Sequence, residues 1–164
     1  MSNKITFKKS YIGIPTSAWK VILGFTLFRL FLALILPLTP QEAYYWSWSR
    51  DLALSYFDHP PLASYSIWFT TLIFGQTIFG IKLAAVLWYL GMNIIWATII
   101  QEMFDNSRQT FWTLLALNAS IVFELYGFVI TPDTPLLFCW TATIYALWKL
   151  VQSKHPQWWY VAGL

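Results

Sequence analysis

Apolar residues in this chain are gathered into long runs that are separated by short polar stretches. Four runs could cross a membrane as helices, because about 20 apolar residues span the hydrocarbon core. They cover residues 19–37, 82–100, 110–130 and 135–151. Another apolar stretch, 157–164, is interpreted as the start of a further span. The pattern predicts an all-α polytopic transmembrane bundle, and we expect this single transmembrane portion to be the N-terminal part of a longer protein.

The segment between the first two runs, residues 38–81, is predicted to form surface helices in an outer loop. Its second half, 62–79, is apolar but interrupted by serines, threonines and glycines. If this half lies in the interface, seven lysines and arginines are cytoplasmic and two are outside; if it spans, the division is five against four. Because positive charge collects on the cytoplasmic side, we expect interfacial helices and a cytoplasmic N-terminus.

Composition supports a membrane protein and argues against some other classes. Hydrophobic residues make up 58% of the chain and charged residues only 10%, as expected for a protein built for lipid. The net charge of +3 comes from lysines and arginines spread along the chain, so it does not indicate a nucleic-acid partner. The single cysteine, Cys139, excludes a disulfide framework within the chain.

Two polar motifs in the outer loop carry side chains capable of chemistry. Glu42 opens a segment, Glu42–Ser49, that is predicted to be helical, with Tyr45 on the same face. Asp58 and His59 precede two prolines, which stop a helix and favour an extended loop. Both motifs also have a structural interpretation, as an interfacial anchor and as a solvated loop.

A third acidic position lies in the turn between the last two runs, Thr131-Pro132-Asp133-Thr134-Pro135. Asp133 or Thr134 can cap the start of the following helix, a role that needs no catalysis. Serine or asparagine would cap equally well without bringing a charge to the membrane edge. Asp133 is therefore a candidate for chemistry as well as for capping.

Two charged residues fall inside apolar runs. Arg29 lies eight residues before Pro37 and Glu124 lies seven residues before Thr131. Both therefore lie roughly 10–12 Å below the outer boundary, given the rise of a helix per residue. Opposite charges at equal depth predict a buried ion pair between the first and third runs. Arg29 could instead snorkel to the interface or contact a lipid phosphate.

Four motifs, in this order, resemble those of the GT-C-fold membrane glycosyltransferases. They read QEAYYW at Gln41–Trp46, YFDHPPL at Tyr56–Leu62, FGIKL at Phe79–Leu83 and TPDTPLLF at Thr131–Phe138. The resemblance is to bacterial members of the dolichyl-phosphate-mannose protein mannosyltransferase superfamily, which includes the aminoarabinose transferases of lipid A. It extends from about the first apolar run to the end of the fourth.

The resemblance implies an enzyme of the bacterial inner membrane whose site faces the periplasm. Such enzymes take a sugar from a polyprenyl-phosphate carrier and pass it to a lipid, glycan or protein acceptor, typically with inversion. Membrane lipids are the other implied partners. Because GT-C enzymes are much longer, we expect this segment alone to lack turnover.

The resemblance also implies roles for individual residues. A positioned carboxylate takes the proton of the acceptor hydroxyl as it attacks; Glu42 is the first candidate for this base and Asp133 the second. The family's first motif usually reads Asp-Glu, whereas this chain has Gln41 before Glu42. Asp58 and His59 match a loop that contributes an acidic and a basic residue near the donor phosphate.

The leaving group in this chemistry is a phosphate, so cationic groups should stabilise its developing charge. Besides His59, the candidates are Arg50 and Arg29, and Tyr45 is a candidate for stacking on the sugar. No cofactor is certain, but a divalent metal ion between Asp58 and Asp133 is a candidate.

The alternative function is a membrane transporter or channel component in which Arg29 and Glu124 line a polar path. Transport predicts ionisable groups that recur across the bilayer. The inner halves of the predicted spans are nearly free of charge, which favours the enzyme.

Overall fold

The computed structural model describes residues 13–163, and all regular structure within this range is helical. This confirms the predicted all-α fold; Lys4, Lys8 and Lys9, which entered the charge count, lie outside the described residues. In chain order the helices are α1 Thr16–Ile35, α2 Pro40–Ser49, α3 Leu62–Phe74, α4 Ile78–Phe104, α5 Ser107–Asn118, α6 Ile121–Tyr126, α7 Asp133–Ser153 and α8 Gln157–Gly163.

Three of the described helices, α1, α4 and α7, are long and apolar enough to cross a membrane. They correspond to the predicted spans 19–37, 82–100 and 135–151, with ends displaced by a few residues. Most exposed side chains of α1 are large and apolar, as a lipid-facing surface requires; they include Leu27, Phe31 and Leu34. The chain is therefore a membrane protein by length and composition of its helices.

The predicted span at 110–130 is not one helix, because the chain breaks into α5 and α6 at Ala119 and Ser120. At the break, the side chain of Asn118 donates a hydrogen bond of 2.8 Å to the carbonyl of Leu114. Such bonds between polar side chains and nearby backbone compete with regular helix. Hydropathy measures apolar content alone and does not register this break.

Two helices, α2 and α3, form from the segment between the first two spans. Thr39 begins α2 with a capping box, in which its hydroxyl accepts from the backbone N–H of Glu42 while the Glu42 carboxylate accepts from the backbone N–H of Thr39. The 13 residues of α3 reach only about 20 Å at the helical rise per residue. That length is shorter than the hydrocarbon core and fits an interfacial helix.

Helix α4 lies at the centre of the bundle and packs against α1, α3, α5 and α7. One buried cluster joins α4 to α1 and α5 and includes Ile22, Ile100 and Leu114. The other joins α4 to α2, α3 and the segment before α7, and includes Tyr45 and Ile130. The second cluster fixes the elements that carry the candidate site.

The hairpin between α3 and α4 depends on close backbone packing. Gly75 ends α3 with a φ of 76°, in the left-handed region that suits glycine. A Cβ atom on Gly80, in the first turn of α4, would lie 2.5 Å from the carbonyl oxygen of Gly75. The Gly75 carbonyl could move away from this Cβ only if the two helices of the hairpin separated.

We therefore expect Gly80→Ala to lower the free energy of unfolding by about 1–3 kcal/mol, the usual cost of overpacking. Gly24→Ala in α1 is the matched control, because a Cβ there meets nothing within 4 Å. Thermal unfolding of both variants in detergent micelles measures the difference. Equal melting temperatures for the two variants would contradict the close packing at Gly80.

Candidate functional site

Most of the residues predicted to carry chemistry gather where α2, the loop after it and the start of α7 meet. Tyr45 lies at the centre, with its ring 5.6 Å from that of His59 and 5.3 Å from that of Trp48. It is buried and shares a packed cluster with Ile130, three residues before Asp133. The cluster holds the segment that leads into α7 against α2.

Glu42 is fully buried and its carboxylate is saturated with hydrogen bonds. Lys82 Nζ lies 2.9 Å from Oε1 and 2.7 Å from Oε2. Oε2 also accepts from the backbone N–H and hydroxyl of Thr39, and Oε1 accepts from the backbone N–H of Ile130 at 3.4 Å. The base role predicted for Glu42 stays a prediction, and this geometry is that of a structural carboxylate.

Asp58 and His59 lie on the loop between α2 and α3 and are accessible. His59 Nδ1 is 3.0 Å from Asp58 Oδ1, and the two side chains are 37% and 41% exposed. Partial burial, followed by the Asp58 carboxylate, raises the pKa of Tyr44 above its usual value. This loop thus places an acid and an imidazole side by side over the aromatic residues of α2.

Asp133 is the first residue of α7 and is exposed, so it combines a helix-start position with an accessible carboxylate. Burial, with smaller contributions from the charges of Asp58 and then Asp133, raises the pKa of Tyr45. Two carboxylates that are 75 positions apart in the sequence therefore both raise the pKa of the Tyr45 hydroxyl. That hydroxyl stays protonated at neutral pH and can donate a hydrogen bond.

Arg50 caps the C-terminus of α2 and is exposed, with its guanidinium carbon 5.7 Å from the centre of the Trp46 ring. Among residues 13–163, no group of three or more His, Cys, Asp or Glu side chains is arranged to hold a metal ion. Asp58 and Asp133 alone do not make such a set, so the divalent ion stays a prediction.

Arg29 lies apart from this cluster, in the interior. Its Nη2 donates 2.8 Å bonds to Glu124 Oε2 and to Asn118 Oδ1, which confirms the predicted contact between the first and third apolar runs. Asn118 in turn donates to Asn93 Oδ1 at 2.6 Å. Because Arg29 is 1% exposed, its predicted contact with a substrate phosphate would require opening of this network.

We expect Glu124→Gln to destabilise the bundle, because it leaves the guanidinium of Arg29 buried without a counter-charge. Removing one partner of a buried pair costs about 3–5 kcal/mol, and the 19% exposure of Glu124 puts the loss at the lower end. Arg29→Met with Glu124→Gln should recover part of it. The free energy of unfolding is measured for Glu124→Gln, for Arg29→Met and for the double variant. If the two single losses add up to the loss of the double variant within about 0.5 kcal/mol, the two residues are not coupled.

Sequence reasoning missed Lys82 as the partner of Glu42, and it missed the two asparagines that extend the predicted pair of Arg29 and Glu124. Lys82 was recognised only as part of a motif, and Asn93 and Asn118 carried no signal beyond being polar residues in apolar runs. The spacing Thr39-x-x-Glu42 is that of a capping box and could have shown that the Glu42 carboxylate is engaged. Nothing in the sequence marks Lys82 as the partner that lies 40 positions away.

The profile of the dolichyl-phosphate-mannose-protein mannosyltransferase family matches residues 58–164. This is more than half of the chain, so the protein belongs to that family, and the predicted resemblance is confirmed. The class is that of membrane glycosyltransferases.

A curated relative is the lipid A galacturonosyltransferase RgtD of Rhizobium johnstonii (strain DSM 114642 / LMG 32736 / 3841), which is 28% identical over 149 residues. The alignment covers 85% of this chain and 30% of RgtD, so the chain spans less than a third of that relative's length. No solved structure is detectably similar to the chain.

Proposed function

We propose that the protein acts in an inverting glycosyltransferase that takes a sugar from a polyprenyl-phosphate carrier at the outer face of the membrane. The main supporting observation is that two exposed carboxylates, Asp58 and Asp133, lie on segments that pack against Tyr45. The ring of His59, next to Asp58, is 5.6 Å from the Tyr45 ring, and Ile130, three residues before Asp133, shares the buried cluster of Tyr45. Accessible acids beside a protonated tyrosine hydroxyl suit a reaction that moves a proton and releases an anion. Family membership supports the transfer of a sugar.

Asp133, rather than Glu42, is the better supported base. A general base must come within hydrogen-bond reach of the proton that it removes, and Asp133 is exposed whereas Glu42 is buried against Lys82. In this mechanism Asp133 takes the proton of the acceptor hydroxyl while the hydroxyl oxygen bonds to C1 of the sugar. The C1–O bond to the carrier phosphate breaks on the opposite face, which inverts the configuration.

The phosphate that leaves has to be stabilised by groups near Asp58. When protonated, His59 can donate from Nε2 to a phosphate oxygen while Nδ1 faces Asp58, 3.0 Å away. Arg50 is exposed at the end of α2 and supplies a second positive charge in the same outer segment. Trp48 and Tyr56, stacked at 4.5 Å, add an aromatic surface beside this loop.

An apolar groove next to the loop supports a lipid-linked donor. It has a volume of about 490 Å³, lies between α3, α4 and α7, and begins at Leu62, directly after the Asp58–Pro61 loop. Phe69, Leu87 and Phe138 are among the side chains that line it. An isoprenoid chain in this groove would bring its phosphate towards His59. Because the relative RgtD is a lipid A galacturonosyltransferase, a lipid is the first acceptor class to test.

The alternative of a transporter or channel component has weaker support. Arg29 forms an ion pair with Glu124 and donates a further hydrogen bond to Asn118, so the two charges neutralise each other inside the bundle and do not recur along a path. The family match also favours the enzyme.

We expect Asp133→Asn to reduce the initial rate of sugar transfer by about 10²–10⁴-fold, the usual contribution of a general base. The rate is measured in membranes from cells in which the gene for the full-length protein carries the substitution. Mass spectrometry follows the formation of glycosylated lipid over time. Asp51→Asn removes another exposed carboxylate from the outer loop and serves as the control. Loss of activity in the control, or full activity in Asp133→Asn, would contradict the assignment.

We expect Leu87→Trp, which fills the groove, to raise KM for a long-chain carrier several-fold and to leave a short-chain analogue unaffected. Leu72→Trp is the matched control, because Leu72 is exposed on α3 but does not line the groove. Transfer kinetics with both carriers measure the effect. An equal change in KM for the two carriers would show that the isoprenoid chain does not bind in the groove.

A further inference from the structure

Lys82 is a fully buried lysine whose ammonium group lies inside the bundle between α2 and the segment before α7. Its two short bonds go to the carboxylate of Glu42, and its Nζ lies 5.7 Å from the centre of the Phe128 ring. Lysine is rarely buried so completely unless it is paired. Neither the predicted chemistry nor the proposed mechanism uses this residue.

The ion pair of Lys82 and Glu42 is hydrogen-bonded to the segment that precedes Asp133. Glu42 Oε1 accepts the backbone N–H of Ile130 at 3.4 Å, and Ile130 is fully buried in the cluster that contains Tyr45. The same carboxylate accepts two hydrogen bonds from Thr39 at the start of α2. One charge centre therefore joins α2, α4 and the turn from which α7 starts.

We propose that Lys82 is a positioning residue that, by orienting the Glu42 carboxylate, holds the turn at Ile130 and so sets the place of Asp133 beside Tyr45. This inference rests on the proposed function, because it assigns the base role to Asp133. It gives the two acidic positions different tasks: Glu42 holds the turn and Asp133 reacts.

The energetics of buried pairs agree with a positioning role. A buried ion pair contributes little net stability, because desolvation offsets the attraction, but breaking it leaves one charge uncompensated. Lys82 orients the carboxylate that also binds Thr39 and Ile130, so its loss would release the turn as well as unpair Glu42. The effect should be local to the start of α7.

The test uses thiol labelling and needs no sugar donor. In a Cys139→Ser background, one cysteine is placed at position 133 or at Ser153, an exposed residue at the other end of α7. Labelling rates of the purified protein in detergent micelles are compared for Lys82→Met, Lys82→Arg and the unchanged protein. Circular dichroism shows which variants remain folded.

We expect Lys82→Met to change the labelling rate at position 133 several-fold while the rate at 153 is unchanged, and Lys82→Arg to restore most of the original rate. An unchanged rate at 133 in folded Lys82→Met would overturn the proposal. Equal changes at 133 and 153 would also overturn it, since they would show a general loss of packing.

A milder pair of variants covers the case in which Lys82→Met does not fold. Glu42→Asp keeps the charge near Lys82 but shortens the side chain, so it should lose the bond to Ile130 and alter labelling at 133. Thr39→Ala removes a hydroxyl bound to the same carboxylate and should leave labelling at 133 unchanged. Altered labelling at 133 in Thr39→Ala together with unchanged labelling in Glu42→Asp would contradict the proposal. Failure of sugar transfer would count against the proposed function alone.

Discussion

The ion pair between Lys82 and Glu42 ties three distant parts of the chain to one point inside an apolar bundle. A charged side chain inside the bundle needs an opposite charge in direct contact, since its desolvation costs several kcal/mol. The same constraint joins α1 to α6 through Arg29 and Glu124, with Asn118 of α5 as a further partner. These contacts set the positions of the helices that frame the site.

Pairing inside the bundle separates the structural charges from the reactive ones. Glu42 is buried against Lys82, whereas Asp58 and Asp133 remain accessible on segments that pack against Tyr45. Glu42 therefore has the hydrogen bonds of a structural carboxylate, and its predicted role as the base stays a prediction. Under the proposed function, the exposed carboxylates of Asp58 and Asp133 are the ones that meet the substrates.

Much of the architecture follows from the sequence, because apolar run length and the charge distribution reflect the membrane directly. The ion pair of Arg29 with Glu124 followed from equal depth and opposite charge. The pairing of Lys82 with Glu42 did not, because it depends on how α2 folds back on α4 over a long loop. The break after Asn118 was missed because it depends on a side chain that competes for backbone hydrogen bonds.

The most direct test of the account is the sidedness of the two exposed carboxylates. With Cys139 replaced by serine, a single cysteine is placed at position 58 or 133, and intact cells are treated with a membrane-impermeant thiol reagent, with lysed cells as the control. The account predicts labelling of both positions in intact cells. Labelling of either position only after lysis would contradict an outer-face site that Asp58 and Asp133 share.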